Sequence, residues 1–330
     1  MGGMETSKDK VLAWLEQHKG QFVSGAKLAE ELGVSRNSVW KAVRALQAGG
    51  YHIESVTGKG YRLDAGTSIL SAASIERYLA APGVHVHYHA LIDSTNLQLK
   101  RLAEAGAPEG TLVVADQQSA GRGRQGRAFF SPSGTGLYFS LLLRPTFSLE
   151  DVALVTSYTA VAVAEAIESV FGLPVQIKWV NDIFVGGHKV CGILTEASFD
   201  AENGQLAYAV VGIGINVFTP AEGFPADVAD VAHAISPQHA DAEDTRARLV
   251  AAIVDNFMAD YARVPERPHL AAYRERSLLD GRSVEVFEGP LSYRAKVLGV
   301  NGDLTLQVQL ADGTERALVS GEVHIPSSQL

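Results

Sequence analysis

Three short segments of this chain combine cations, amides and glycines in patterns suited to binding an anion. GRGRQGR at Gly121–Arg127 sets three arginines among glycines, with no acidic residue. KWVND at Lys178–Asp182 ends one apolar stretch, and Lys189 begins the next. Guanidinium and ammonium groups bind phosphate and carboxylate oxygens, and interleaved glycines let a loop fold over them. The pattern predicts a nucleotide site. The alternatives are a solvated basic loop and a hairpin whose lysines protect a sheet edge.

The glycines of this loop also satisfy the G-x-G-x-x-G spacing of dinucleotide-binding turns, at Gly121, Gly123 and Gly126. Such a turn must open a helix, because the pyrophosphate binds at the helix N-terminus. Here the loop leads instead through a Ser/Pro/Gly segment into an apolar strand at Leu137–Leu143. We therefore reject an NAD-dependent enzyme.

Other polar or reactive side chains give weaker signals. Asp93–Asn96 (DSTN) lies between a predicted strand and a helix, so it could cap the helix or hydrogen-bond a small ligand. Gly212–Asn216 (GIGIN) is a strand whose alternate glycines allow close approach of a ligand or another strand. The alternating histidines of His85–His89 share one strand face, but no nearby cysteine or carboxylate completes a zinc site. Cys191 is expected to be a small core residue.

Composition sets the class of protein. The 330 residues, 46% hydrophobic and 20% charged, indicate a globular chain of two or three domains. The most apolar run, Val152–Phe171, contains Glu165 and Glu168, so no membrane span is expected. Met1–Asp9 lacks the apolar core of a secretory signal, and a single cysteine fits a reducing cytoplasm.

The elements that must position these residues fall into three predicted domains, residues 1–66, 67–280 and 281–330. The middle domain alternates strands with helices such as Glu150–Val170, which predicts an α/β fold. The last domain contains five short predicted strands separated by turns such as Asn301-Gly302-Asp303. Short strands at this spacing predict a small SH3-like β-barrel.

The first domain is slightly basic, with nine Lys and Arg against seven Asp and Glu, although the whole chain has a net charge of −9. Apolar periodicity predicts helices at Lys10–Gln17, Ala26–Leu32 and Arg36–Ala48, followed by a hairpin. This order is typical of a winged helix-turn-helix, and the alternative is a small protein-interaction module. DNA contacts are expected from Ser35, Arg36, Asn37, Trp40, Lys41 and Arg44 in the third helix and from Lys59 in the wing.

In order along the chain, DSTN, QQSAGRGRQGR (Gln117–Arg127), KWVND, KVCGIL (Lys189–Leu194) and GIGIN resemble the motifs of biotin–protein ligases. From about Val11 to Ile325 the chain is similar to the bifunctional biotin ligase and biotin operon repressor type. The resemblance implies an α+β multidomain protein. Its winged helix-turn-helix and SH3-like barrel would flank a class II synthetase-like α/β catalytic domain with a mixed sheet.

The resemblance implies an ATP-dependent reaction in two halves. Biotin's carboxylate attacks the α-phosphate of ATP and gives biotinyl-5′-AMP and pyrophosphate, with Mg²⁺ on the polyphosphate and no dedicated protein metal site. A lysine of biotin carboxyl carrier protein, part of acetyl-CoA carboxylase, then displaces AMP. The resemblance also implies repression at operator DNA by a homodimer that forms when biotinyl-AMP is bound.

Residue roles follow from the same resemblance. Lys189, Arg122 and Arg124 would be catalytic. Biotin would be bound by Ser94, Thr95, Asn96, Gln118, Arg122, Gly123, Arg124 and Lys189. The adenylate would be bound by Arg124, Arg127, Phe129, Lys178, Asn181, Asp182 and Asn216. The loop Gly121–Arg127 is expected to be disordered without ligand and to order over biotinyl-AMP, because that mixed anhydride hydrolyses readily.

Two positions depart from the family pattern. Val180 stands where the family has proline in KWPND, so the bend before Asn181 must form without a fixed φ. Phe129 stands where the family has a tryptophan that packs on the adenine, which puts adenylate affinity in question. A repressor that only senses biotin and a lipoate ligase remain the alternatives. The loop arginines and Lys189 favour chemistry over sensing, since a biotin sensor has no need of phosphate cations.

Overall fold

The structure, a computed structural model, describes residues 6–199, 206–226, 228–229, 231–238, 243–289, 291–319 and 321–325. Its contacts divide the chain into two compact units. One unit comprises residues 1–80 and 240–251, and the other comprises residues 81–239 and 252–330.

The first unit begins with three helices, α1 (Ser7–Gln17), α2 (Gly25–Glu31) and α3 (Arg36–Ala48). The hairpin β1 (Ile53–Val56) and β2 (Gly60–Leu63) and the short helix α4 (Ala72–Glu76) follow. The Ser24 and Ser35 side chains accept hydrogen bonds from Lys27 N–H and Ser38 N–H, so both act as N-caps. A core that includes Leu15, Leu28, Val39, Val43 and Leu46 holds the helices together. The predicted helix-turn-helix with its hairpin is present.

The second unit is built on a seven-stranded mixed sheet in the order β3-β4-β5-β9-β8-β7-β6. Its strands are β3 (His85–His89), β4 (Thr111–Ala115), β5 (Gly136–Leu143), β6 (Val175–Lys178), β7 (Asp182–Val185), β8 (His188–Phe199) and β9 (Leu206–Asn216). Only the β3–β4 pair is parallel among these pairings. The mixed sheet confirms that part of the predicted fold.

Helices cover this sheet. Helix α5 (Thr95–Glu104) packs on β4, β5 and β9, and α6 (Leu149–Phe171) packs on β6 to β9. Helices α7 (Thr245–Asp260) and α8 (Leu270–Glu275) follow. Among the described residues, Asp151–Phe171 is the one helical stretch long and apolar enough to cross a membrane. About two thirds of its apolar window is buried inside the protein, as in an ordinary core helix.

The C-terminal residues of the second unit form an antiparallel five-stranded sheet in the order β13-β12-β11-β10-β14. The strands are β10 (Ser283–Glu288), β11 (Leu291–Val300), β12 (Leu306–Leu310), β13 (Glu315–Leu318) and β14 (Glu322–His324). The five strands occur where the sequence predicts them. The sequence predicts the fourth of these strands over Thr314–Ser320, and Ser320 lies outside the described residues.

Candidate functional site

One cavity in the second unit brings together side chains from nearly all the predicted motifs. Its lining includes Ser94, Thr95, Asn96, Gln118, Arg122, Gly123, Arg124, Arg127, Phe129, Lys178, Asn181, Asp182 and Lys189. Asn216, the remaining predicted ligand residue, lies buried at the end of β9 and outside this lining. Segments separated by about a hundred residues of sequence therefore converge on one site.

The polar corner of the cavity is the start of α5. Ser94 occupies the N-cap position, but its side chain makes no capping hydrogen bond. The Thr95 backbone N–H donates to Gln118 Oε1 at 2.9 Å, and Gln118 Nε2 donates to Ser131 Oγ at 3.0 Å. Helix capping therefore does not account for the hydroxyl of Ser94, and ligand binding by DSTN stays a prediction.

The GRGRQGR loop has a local structure of its own. Gly123 N–H donates to the Arg127 carbonyl at 2.7 Å, and residues Arg124–Gly126 form one turn of 3₁₀-helix. The Arg124 guanidinium donates to Asn181 Oδ1 at 2.8 Å, and that of Arg127 donates to Glu322 Oε2 at 2.8 Å. The loop leads into β5 rather than into a long helix, so it is not a dinucleotide-binding turn, as predicted.

The KWVND segment is the turn of a β6–β7 hairpin in which Lys178 pairs with Asp182. The Trp179–Val180 peptide bond is cis, and the Tyr273 hydroxyl donates to the Val180 carbonyl at 3.2 Å. The bend before Asn181 thus has valine at position 180. It directs the Asp182 carboxylate to within 2.6 Å of Lys189 Nζ.

Positive charge dominates the lining, where five cations face the carboxylates of Asp182 and Glu322. Burial lowers the pKa of Lys178, and the neighbouring Lys189 and Arg127 lower it further, although Asp182 and Glu322 act in the opposite direction. A bound anion would favour the protonated lysine by the same Coulombic logic. The cavity is thus suited to binding phosphates or a carboxylate.

The glycines of GIGIN make room for two side chains of the cavity. A Cβ on Gly214 would lie 2.7 Å from the Phe129 ring, and a Cβ on Gly212 would lie 2.1 Å from Asn96 Oδ1. Real Cβ atoms do not approach so closely, so a larger residue would displace these side chains. The groups that approach these glycines are the Phe129 and Asn96 side chains, whereas the sequence predicts a ligand or another strand.

Sequence reasoning missed the contribution of the C-terminal sheet to this cavity. Gly321, Glu322, Val323 and His324, at and just before β14, line it beside Arg127. The Trp179 indole N–H also donates to the Leu304 carbonyl at 2.9 Å. No local motif signals these contacts, because they arise only when distant strands are brought together.

Cys191 and the alternating histidines of His85–His89 lie outside the cavity lining. Cys191 is buried, and burial raises the pKa of its thiol far above the ordinary value, so the thiolate required for catalysis is disfavoured. His87 and His89 have lowered pKa values because they are partly buried. In the part of the chain that the structure describes, no group of three His, Cys, Asp or Glu side chains could hold a metal ion.

The predicted DNA-contacting residues are exposed on the first unit. Ser35, Arg36, Asn37, Trp40, Lys41 and Arg44 are all exposed on or before α3, and Lys59 is exposed in the hairpin turn. Trp40 is 49% exposed, and the Arg44 guanidinium lies 5.8 Å from its ring centroid. A large aromatic side chain left in solvent on a basic helix is suited to contact a partner.

Comparison with known proteins decides the family. Residues 88–216 match the biotin/lipoate A/B protein ligase family, and residues 8–62 match an HTH domain. The bifunctional ligase/repressor BirA of Bacillus subtilis (strain 168) is 35% identical over 316 residues, which cover 94% of this chain and 96% of that protein. The chain belongs to the biotin/lipoate A/B protein ligase family.

Other members of the family agree with this placement. The bifunctional ligase/repressor BirA of Escherichia coli (strain K12) is 35% identical over 199 residues, 60% of each protein. The biotin protein ligase from Aquifex aeolicus, solved in complex with biotin and ATP, is 29% identical with a TM-score of 0.58. That likeness covers 72% of this chain and 97% of the Aquifex chain.

Proposed function

We propose that this chain is an ATP-dependent biotin–protein ligase that also binds operator DNA as a repressor. The ligase activity is supported by one cavity, in which a corner rich in hydroxyl and amide groups lies beside a cation-rich loop and hairpin. The corner suits a small polar ring, whereas the cations suit a carboxylate and phosphates. A protein that only senses biotin would not need the cations of the loop and hairpin.

The chemistry required of the site is to bring two anions together. Lys189, Arg122 and Arg124 would neutralise biotin's carboxylate and the α-phosphate of ATP, so that a carboxylate oxygen bonds to the α-phosphorus as pyrophosphate leaves. Lys178, Arg127, Asn181, Asp182, Phe129 and Asn216 are proposed to serve the adenylate. In the second half, the amine of a carrier lysine attacks the acyl carbon and AMP departs with the oxygen.

Mg²⁺ would accompany ATP rather than occupy a resident metal site. Asp182 supplies a carboxylate inside the cavity, and carboxylate oxygens are ligands that Mg²⁺ accepts alongside substrate phosphates. Bound there, the ion would neutralise charge on the polyphosphate. The protein's own residues would still orient the reacting carboxylate.

The remaining assignments complete the proposed protein. Residues 1–66 would bind DNA, residues 67–280 would catalyse, and residues 281–330 would form an SH3-like barrel that assists binding of ATP or the carrier. The carrier would be biotin carboxyl carrier protein of acetyl-CoA carboxylase. The repressor would act as a homodimer that forms with biotinyl-AMP, because a two-fold dimer presents two α3 helices to a palindromic site.

The ligase half is tested by incubating the protein with Mg²⁺ and γ-labelled ATP and measuring pyrophosphate release, with biotin or lipoate in parallel. A second set contains a biotin carrier domain. We expect pyrophosphate release with biotin but not with lipoate, followed by transfer of biotin to the carrier. Release with lipoate but not with biotin would mean that the chain is a lipoate ligase. Biotin binding without release would leave a sensor-repressor.

A further inference from the structure

The wing of the first unit, formed by β1, β2 and the turn between them, is fastened to the segment that precedes α2. Tyr61 N–H donates to the Val23 carbonyl at 2.8 Å, and Val23 N–H donates to the Tyr61 carbonyl at 2.9 Å. A Cβ on Gly60 would lie 2.0 Å from the Val23 carbonyl oxygen, so the two backbones are in direct contact. Phe22, the chain neighbour of Val23, therefore lies beside the wing.

The Phe22 ring lies next to two cations of the wing. The Arg62 guanidinium carbon lies 4.6 Å from the ring centroid, and Lys59 Nζ lies 5.6 Å from it. Both distances are within the roughly 6 Å over which an aromatic face attracts a cation. One half-buried aromatic side chain from outside the wing thus contacts both of its cations.

The two cations differ in their other partners. The Arg62 guanidinium donates to both carboxylate oxygens of Glu54, at 2.8 Å each, across the β1–β2 pair. Lys59 is exposed in the turn, and within the described part of the chain it forms no ion pair. Glu54 therefore neutralises the charge of Arg62, whereas the charge of Lys59 remains available to a partner.

An exposed ammonium group held beside a ring is suited to bind a phosphodiester group. The ring attracts the cation without neutralising it, so the N–H donors of Lys59 can still face a phosphate oxygen. A lysine side chain loses rotamer freedom when it binds, and this loss is smaller if the ring already limits the positions of Nζ. The Arg62–Glu54 pair has no net charge, so it would displace no counterion from DNA.

We propose that Phe22 is a positioning residue that holds the Lys59 ammonium group in place to bind a phosphate of the DNA backbone, whereas Glu54 keeps Arg62 out of the DNA contact. The inference rests on the proposed binding of DNA. It adds Phe22 to the residues on which DNA affinity depends, and it assigns the wing's contribution to Lys59.

The test measures the affinity of the full-length protein for a mixed-sequence DNA duplex over a range of salt concentrations, because a phosphate contact carries no sequence information. Lys59→Ala should weaken binding about tenfold at low salt and lower the slope of log affinity against log salt by about one. Phe22→Leu should weaken binding about fivefold, the size of an exposed cation–π contact. Phe22→Tyr keeps the aromatic face and should stay within about 1.5-fold of wild type.

A double-mutant cycle distinguishes the positioning of Lys59 from a merely structural role of Phe22. If Phe22 acts through Lys59, Phe22→Leu should weaken binding by less than about 1.5-fold when residue 59 is already alanine. An equal loss in both backgrounds would mean that Phe22 supports the fold of the wing in general, and the inference would be wrong. A loss in Phe22→Tyr as large as that in Phe22→Leu would also contradict it, because the ring is still present.

The role of Glu54 is tested by the paired variant Glu54→Gln/Arg62→Gln, which removes both charges of the ion pair. Its salt slope should stay within about 0.3 of wild type, and a slope lowered by about one would show that Arg62 contacts a phosphate, against the inference.

The control is Lys8→Ala, which removes an exposed lysine from α1 and should leave the affinity and the salt slope unchanged. A loss equal to that of Lys59→Ala would mean that net charge, rather than a contact of Lys59, sets the affinity, and would overturn the inference. Wild-type protein that does not bind the duplex would overturn the proposed DNA binding itself.

Discussion

Lys189 is the side chain on which the proposed chemistry depends most. Its ammonium group lies 2.6 Å from Asp182 at the edge of the cavity, where a carboxylate and a phosphate would meet. Removing one electrostatic contact of this kind costs about 10²- to 10³-fold in kcat. We expect Lys189→Ala to lower the kcat of biotinyl-AMP formation by that factor, as measured by pyrophosphate release.

The matched control is Lys296→Ala, which removes an exposed lysine from β11. It should leave kcat within about twofold of wild type. If Lys189→Ala retained full activity, the assignment of carboxylate and phosphate contacts to Lys189 would be wrong.

For single residues, the sequence predicts which motifs line the cavity better than it predicts the partners of each side chain. The cations, amides and glycines of the motifs do line one cavity, because they lie next to each other along the chain in recognisable groups. Glu322 was not predicted as a site residue. Its importance comes from a partner 195 positions away, Arg127, and single-sequence spacing does not show such pairs.

Among the elements, the Gly121–Arg127 loop is the one that we expect to order when ligand binds. Two of its arginines are well exposed, with side-chain exposures of 42% for Arg122 and 63% for Arg127. Ligand phosphates that pair with these arginines would order the loop and protect it. We expect a non-hydrolysable biotinyl-AMP analogue to slow tryptic cleavage after Arg122, Arg124 and Arg127 about tenfold. Cleavage after Arg316 is the internal control. If the analogue changed cleavage at the loop arginines and at Arg316 equally, the loop would not order over the ligand.

Glu16 in helix α1 makes the folding stability of the protein depend on pH. Glu16 is fully buried, and burial is the main reason that its pKa is raised above its ordinary value. Lys19, which lies 3.6 Å away, offsets burial only in part. The folded protein therefore binds this proton more tightly than the unfolded chain, so stability falls as pH rises through the raised pKa.

Glu16→Gln removes that effect and should raise the free energy of unfolding by about 1 kcal/mol at neutral pH. The gain should shrink as pH falls toward the ordinary carboxyl range, as measured by thermal unfolding across pH. Glu30→Gln on the exposed side of α2 should show no such dependence. A destabilised Glu16→Gln protein at neutral pH would mean that the Lys19 pairing outweighs burial.

Element positions were predictable because periodicity and caps act locally. Helix α3 begins and ends where the apolar pattern places it, and the strand predicted at Leu137–Leu143 occurs as β5. The order and direction of the strands were not predictable in this way. Strand β3 pairs parallel with β4, whereas the neighbouring β4–β5 pair is antiparallel. Pairing depends on contacts between segments far apart in sequence, and those are absent from any local pattern.

For the whole molecule, bound biotinyl-AMP is proposed to control assembly into a dimer. We expect the protein at micromolar concentration to sediment as a monomer without ligand and as a dimer with saturating biotinyl-AMP. Lys41→Ala should weaken operator binding and reduce its salt dependence by about one counterion without altering dimerisation, because Lys41 lies exposed on α3. A monomer at saturating biotinyl-AMP would remove the dimer from the proposal.

We propose that one cavity joins biotin's carboxylate to the α-phosphate of ATP. The most direct measurement uses biotin labelled with oxygen-18 in its carboxylate, unlabelled ATP and a biotin carrier domain, followed by mass analysis of the nucleotide product. Because the acyl–oxygen bond breaks when the carrier lysine attacks, we predict one labelled oxygen in AMP for each biotin transferred. Label in inorganic phosphate, with ADP as the nucleotide product, would contradict adenylation.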